Sequence, residues 1–460
     1  MISSFLPKKW DYETDVLVVG AGNAGLTAAI TARDIGVKVG ILESMPYCAS
    51  SLALTEVGPA FAGTDIQKEQ GIIDSPEDFF NDGMERAKGT PELWRLFADH
   101  QLDTYNWCKS LGLPFRKLFA PPGHKAKRAF FIKGDAWLKI IEANARDRGA
   151  DILFLHRAMR LIVDPQTSKI SGVQVRVGDK IKYFKSILAV ILATGGFGRN
   201  KDMVTEYGPD YIDCIPIMPP GHLGDGINMA LDIGAATKGI GIAIAPSYPI
   251  DESSKSGNMA FITYGGGIFV NVDGKRFWDE GTRESYYGVL SEEGLRQPGG
   301  NFWVIYDENI RKRVVPSKFG KSKSIQANTI EKLADKTGLN AKGLKETIDK
   351  YNNDIENFGY DTVFDRRTLV GVDGTPVKIE KPPFYSIKCA VSTTSCKGGL
   401  KVNTRLQVMD RFDEAIPGLY ACGEVMGGLW GANGIYLPCT TISAALTFGR
   451  IAGRNAATGL

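Results

Sequence analysis

Residues 20–25 read Gly-Ala-Gly-Asn-Ala-Gly and follow the apolar run Asp-Val-Leu-Val-Val (15–19) directly. This G-x-G-x-x-G spacing suits chemistry on a pyrophosphate. Gly20 permits a tight turn, Gly22 lets the backbone approach the phosphates, and Gly25 lets the following helix pack on the strand. Asn23 and Ala24 fall where a helix opens, and its free N–H groups and positive dipole end face an anion. Glu43, at the end of the next apolar run and beside Ser44, is placed to accept hydrogen bonds from a ribose. Strand, glycines, helix, strand and acid in this order predict adenine-dinucleotide binding.

These residues need a βαβ unit to carry them, with strands over 15–19 and 38–42 and a helix over 26–35. Further helices are predicted at 76–87, 91–110 and 135–148, and strands at 152–155, 159–164, 170–177 and 187–193. From about Tyr248 to Lys381 the texture changes, with a hairpin-like Gly-Ile-Phe-Val-Asn-Val-Asp-Gly-Lys-Arg-Phe (267–277) and basic helical segments around 329–357. Three segments result: 1–247 as the first part of a nucleotide-binding domain, 248–381 as an insertion, and 382–460 as the second part.

Composition bounds the rest. The chain has 460 residues, 43% hydrophobic and 23% charged, which excludes a disordered or fibrous chain. Lys+Arg 55 against Asp+Glu 52 leaves +3, too balanced for a nucleic-acid partner. Seven cysteines include no CxxC pair, and His100, His124, His156 and His222 are scattered, so no metal site is expected. The first residues carry no long apolar run, and the longest one (187–194) is strand-length. The expectations are therefore no integral membrane segment and a cytoplasmic location. The basic run 311–323 reads as a solvated face.

Fifty-three glycines gather at 20–25, 195–198, 221–226, 265–267, 398–399 and 423–434. Beside apolar runs, they suggest one large ligand threaded past many loops. No second G-x-G-x-x-G exists for a separate pyridine nucleotide. Instead Ala193, Thr194, Gly195 and Gly196 follow an apolar strand, and Gly423-Glu424 lie near the C-terminus. A ligand buried along its whole length points to FAD.

Together, GAGNAG, ATGGFG (193–198), GHLGDG (221–226), GKRFWDE (274–280), KGGL (397–400) and GLYACGE (418–424) resemble the fumarate reductase/succinate dehydrogenase flavoprotein superfamily, in order and over nearly the whole chain. The resemblance implies an α/β fold in which a Rossmann-like FAD-binding domain is interrupted by an inserted α+β capping domain. It also implies hydride transfer between flavin N5 and a carbon beside a carbonyl or carboxylate. The membrane-complex members attach FAD to a histidine in the loop after the second strand. Residues 44–58 contain none, so the FAD is expected to be non-covalent, with Ser50, Ser51 and Thr55 as polar contacts. Asp225 belongs to the GHLGDG motif. Thr440 or Thr441 is expected to cap the last helix, whose first turn, with Ile442, would face the flavin C2 oxygen.

Departures from the family bear on the substrate. Soluble fumarate reductases hold two carboxylates with histidines and arginines. At the corresponding places this chain has Tyr248-Pro249, Met259-Ala260, Ser395 and Tyr436, and only Arg283, near the family's proton-donating arginine, persists. A pocket of Tyr248, Tyr436 and Met259 does not replace the hydration of a dianion. Phenols can instead hydrogen-bond one carbonyl and stabilise its enolate. In this the chain is similar to 3-ketosteroid dehydrogenases, while residues 276–300 also resemble tricarballylate dehydrogenases. The expected activity is dehydrogenation or reduction of a bulky enone, with an unsaturated carboxylic acid as the alternative and a non-catalytic electron-transfer subunit as a second. Arg283, Tyr286 or Tyr287 would move the proton. The partners expected are a small-molecule substrate and an external electron donor or acceptor.

Overall fold

A computed structural model describes residues 6–55, 57–121, 123–240, 244–281, 288–314, 316–369, 374–430 and 436–459, with backbone alone at 244–247, 288, 289 and 291. Its contacts divide the chain into two compact units. The first comprises residues 1–212, 217–245 and 394–460; the second comprises 213–216 and 246–393.

The first unit is organised by a sheet whose central strands are parallel. β1 (Tyr12–Val19) lies between β2 (Val39–Leu42) and the long strand Lys180–Leu192, which is flanked in turn by Ala415–Ala421. Asp151–Leu153 extends the sheet beyond β2. Residues 16–19 and 39–42 are buried throughout, as strands covered on both faces require. The helix after β1, α1 (Asn23–Ile35), starts three residues earlier than its apolar pattern suggests, because the glycine turn passes straight into it. The strand Lys180–Leu192 is likewise longer than the 187–193 run, since Lys180–Phe184 pairs with the hairpin strand Ile170–Val177 and carries polar residues into solvent.

The final helix, Thr440–Thr458, packs along α1. The backbones come close because the contact residues are small: a Cβ at Gly449 would sit 2.6 Å from Ala24 O, and one at Gly453 2.2 Å from Ala28 O.

The second unit has an α+β build. Phe384–Cys396 forms the centre of a six-stranded sheet, pairing with Phe302–Asp307, Ile325–Ala327, Ile215–Pro216 and Ile244–Asp251. Ile268–Asn271 extends it, and the helices Ile330–Thr337 and Ala341–Phe358 contribute to its separate core. Two sequence expectations are refined here. Asp273-Gly274 makes a tight turn (Gly274 φ +71°) closed by an antiparallel bridge between Val270 and Arg276, but the full ladder of Ile268–Asn271 is made with Phe302–Asp307. The later boundary also falls at 393/394 instead of 381/382. Pro382-Pro383 precedes a strand that runs unbroken through the second sheet, so the chain returns to the first unit only at that strand's end.

Candidate active site

The carboxyl ends of the parallel strands converge, the usual location of a ligand crevice in such sheets. Each loop leaving them is tied to a neighbour: Gly20 N donates to Leu42 O at 2.8 Å, Ala193 N to Val19 O at 2.8 Å, and Cys422 N to Leu192 O at 3.0 Å. The three fingerprint glycines meet different constraints. A Cβ at Gly20 (φ +109°) would lie 2.4 Å from Ala193 O, and one at Gly25 2.0 Å from Gly20 O, so the protein itself excludes side chains there. At Gly22 the nearest protein atom would be Ala49 O, 3.6 Å away. The protein leaves that space open, which fits a cradle for a phosphate. Gly22, at the cap position of α1, offers no side chain and the first turn carries no acid; Asn23 N donates to Ser50 Oγ at 3.4 Å, and the positive end of the helix faces the open space beside Gly22.

Glu43 closes the crevice from β2. It is 5% exposed, and its carboxylate accepts from Ala21 N (2.9 Å), Met45 N (2.9 Å) and the Ser44 hydroxyl (3.3 Å). Burial nevertheless raises its pKa above the usual carboxylate value. These bonds fix the orientation of the carboxylate and leave it lone pairs for further donors. Ser50 Oγ donates to Asn23 Oδ1 (3.0 Å) and accepts from Leu52 N (3.2 Å), bracing the loop against α1. Ser51 Oγ and Thr194 Oγ1 are buried and have no hydrogen-bond partner among the described residues, as expected of groups reserved for a ligand.

Gly195 and Gly196 pack against protein. Their Cβ positions would fall 2.5 Å from His222 Nε2 and 2.5 Å from Glu424 Oε1. Glu424 follows Gly423 (φ +78°), and its Oε1 accepts from Cys396 N at 2.7 Å. His222 Nδ1 stands 3.7 Å from the same oxygen, and burial depresses its pKa, so the ring is neutral near pH 7.

Several sequence expectations do not hold. The hydroxyl of Thr55 donates to Val57 O and accepts from Val57 N, closing its own turn. Asp225, counted by its motif with the cofactor-binding residues but read as structural rather than catalytic, is engaged by Arg157 in a two-bond ion pair (2.7 and 2.8 Å). Neither Thr440 nor Thr441 caps the final helix. Cys439, with φ +65°, occupies that position, and the Thr440 hydroxyl turns back to Leu437 O. The helix therefore starts without a side-chain acceptor on its first-turn N–H groups, which Thr441 and Ile442 share. Met259 is fully buried in the core of the second unit. The glycine clusters are also not all ligand loops, since 265–267 serves packing in the second unit, against Val377, Ile310 and Ile262.

Of the candidates for chemistry, Arg283, Tyr286 and Tyr287 lie outside the described residues. Tyr248 belongs to the second unit. It packs with Ala260, its carbonyl accepts from Ser392 Oγ (2.7 Å), and burial raises its phenol pKa. Tyr436 belongs to the first unit, its ring edge-on to Trp430 at 6.0 Å between centroids.

Beside Tyr436 stands a residue that sequence reasoning passed over. Lys397, in KGGL, is 3% exposed, and its ammonium lies 3.7 Å from the Tyr436 ring centroid and 5.1 Å from that of Trp430. Burial pulls its pKa from 10.5 down to about 8, against the opposing charge of Glu424. The motif had been read for its glycines, and the cation in front of them was the missed signal.

A family model described as FAD binding domain matches residues 15–435. The chain belongs to this family. FAD is its cofactor, and it is an FAD-dependent oxidoreductase. Among its relatives is "Fumarate reductase (cytochrome)" of Shewanella frigidimarina, 32% identical over 96% of this chain and 77% of that protein. Among solved structures, the open conformation of a flavocytochrome c3 fumarate reductase superposes with a TM-score of 0.85, at 29% identity over 98% of this chain and 79% of the other. A 3-ketosteroid-Δ4-(5α)-dehydrogenase from Rhodococcus jostii RHA1, in complex with 4-androstene-3,17-dione, gives 0.78 at 25% identity over 98% of each chain. An FAD-binding domain with an inserted cap is thus the family's architecture. No described helix is long and apolar enough to cross a membrane.

Proposed function

We propose that this protein oxidises or reduces a carbon–carbon bond next to a carbonyl in a bulky, largely apolar substrate such as a 3-oxosteroid or an aryl enone. FAD, when bound without a covalent link, supplies or takes up the hydride. The glycine turn with the start of α1 would hold its pyrophosphate, Glu43 a ribose, and Ser51, Thr194 and the first turn of the final helix its remaining polar edges. Tyr436 would hydrogen-bond the substrate's carbonyl oxygen, and Tyr248 would serve as a second phenol. Arg283, Tyr286 or Tyr287 would exchange the proton at the carbon next to the carbonyl. In the reducing direction, two electrons and one proton are replenished by an external donor; in the oxidising direction they leave to an external acceptor.

The observation that carries this reading is Tyr436, a phenol held against Trp430 in the FAD-binding unit, where fumarate-type chemistry would use arginine. An unsaturated carboxylic acid remains the second reading, favoured by the buried ammonium of Lys397 and by relatives named for fumarate, acrylate and urocanate.

The test is reoxidation of the photoreduced holoprotein. Enones should restore the oxidised flavin spectrum faster than buffer, and Tyr436→Phe should slow that rate by 10-fold or more. Rapid turnover of fumarate combined with inert enones would overturn the substrate assignment.

A further inference from the structure

Among the described residues, the buried cations are, with one exception, met by protein oxygens. Arg128 donates to Asp74 and Asp82; Arg276 pairs with Glu280 and Asp361; Arg366 donates to Gly267 O and Thr263 O. The exception is Lys397. Its ammonium carries three donors, and among the described residues none finds an acceptor. The faces of Tyr436 and Trp430 offset part of the charge. Glu424 acts on it through space, its Oε1 being taken by Cys396 N. Leaving a desolvated ammonium without hydrogen bonds costs several kcal/mol.

The backbone that carries the side chain is tightly packed just after it. Lys397 is followed by two glycines wedged into the backbone on either side: a Cβ at Gly398 would lie 2.0 Å from Gly239 O, and one at Gly399 2.2 Å from Val425 O. A rigid base, a dry aromatic box and three idle donors beside a phenol describe a socket for an anionic oxygen.

We infer that Lys397 is a substrate-holding residue, its ammonium taking the oxygen that becomes negative when the conjugated double bond is reduced. This deepens the reading of Tyr436 above and rests on it. As hydride adds to the carbon remote from the carbonyl, the π pair of the C=C bond moves to make the enolate, and the carbonyl oxygen gains the charge. Lys397 holds that charge until the carbon next to the carbonyl takes a proton and the C=O bond re-forms. Overall the substrate gains a hydride, two electrons with one proton, from the reduced flavin and a second proton from the side chain that serves as acid, and the flavin is left oxidised. An unsaturated monocarboxylate offers the same group an oxygen already charged. One ammonium matches one such group, so dicarboxylates gain nothing extra.

The titratable groups facing Lys397 are Glu424 and the buried Cys396 thiol, which burial keeps neutral, with the neutral His222 behind Glu424. Protonated Lys397 is the competent form, so substrate affinity is retained below about pH 8 and falls above it.

The experiment uses flavin-loaded wild type and Lys397→Met, an unbranched neutral replacement that leaves the glycine wedge untouched. Binding of cinnamate, of an aryl enone and of fumarate is followed by the flavin absorbance change from pH 6 to 10, alongside turnover, flavin content and flavin midpoint potential. The expected result is at least 10-fold weaker cinnamate binding in Lys397→Met, a roughly 100-fold loss of enone turnover, disappearance of the limb near pH 8, and unchanged flavin content and potential. Cinnamate binding and enone turnover both equal to wild type would overturn the inference. So would a shifted flavin potential with unaltered binding, which would assign the lysine to the cofactor. Wild type that binds cinnamate through Lys397 yet reduces no enone or acid would sink the proposed function while sustaining the inference. Wild type that responds to none of the compounds would overturn both.

Discussion

Replacing Lys397 by methionine is expected to stabilise the protein while disabling it. The ammonium's pKa falls from 10.5 to about 8 on burial. Because one pH unit corresponds to about 1.4 kcal/mol, the charged side chain lowers folding stability by about 3 kcal/mol relative to its neutral form. The sign follows from proton binding. Below about pH 8 both folded and unfolded chains carry the proton, and the cost is fully present. Between about pH 8 and 10.5 the unfolded chain binds more protons than the folded one, so wild-type stability rises with pH. Above 10.5 the charge is gone from both states. Methionine has no charge at any pH. Lys397→Met should therefore exceed wild type by up to about 3 kcal/mol at pH 7, and the gap should close towards pH 10.5. Urea unfolding of the flavin-loaded proteins, followed by tryptophan fluorescence at pH 6, 7, 8, 9 and 10, measures the gap. A gap that is constant with pH, or a wild type more stable than the variant at pH 7, would mean that the ammonium already has a partner. A saturating unsaturated acid should stabilise wild type more than the variant, since it supplies the missing acceptor only where a cation waits for it.

Other perturbations separate the site from its scaffold. Gly22→Ala should fold with an unchanged far-UV circular dichroism spectrum and purify colourless, whereas Gly25→Ala should fail to accumulate as folded protein; a yellow Gly22→Ala would remove this turn from the cofactor site. Glu43→Gln sets an amide N–H against Ala21 N–H or Met45 N–H, a loss of about 1–3 kcal/mol, so FAD affinity should drop 10- to 100-fold in a titration of apoprotein. His124 is buried beside Arg128, with its pKa lowered from 6.5 to about 3 and its Nε2 on Pro438 O. Stability should fall as pH drops below 6.5, by up to about 1.4 kcal/mol per pH unit from this group, and His124→Gln should flatten that acid limb in denaturant unfolding.

Local patterns were legible wherever one stretch of chain decides the outcome. The fingerprint 20–25 with Glu43, the buried parallel strands and the glycine-rich returns at 195 and 423 each follow from short-range spacing, because a strand–turn–helix that grips phosphate is built from consecutive residues. Boundaries set by pairing were less visible. Phe384–Cys396 reads as the start of a returning domain, but its ladder partners 302–307 and 325–327 hold it in the second unit. Side chains whose alternatives are local misled for the same reason. Thr55 and Thr440 spend their hydroxyls on nearby carbonyls.

By itself the sequence determined the cofactor class and the interrupted α/β plan, since each is a matter of residue type at a place in a motif. The tertiary structure alone decided that a buried ammonium stands beside Tyr436. Lys397, Trp430 and Tyr436 are 33 and 6 positions apart in sequence, and none signals the others. Only packing shows that the ammonium is dry, faced by rings and short of acceptors. The cost of a buried charge depends on what surrounds it, and those surroundings are assembled by the fold.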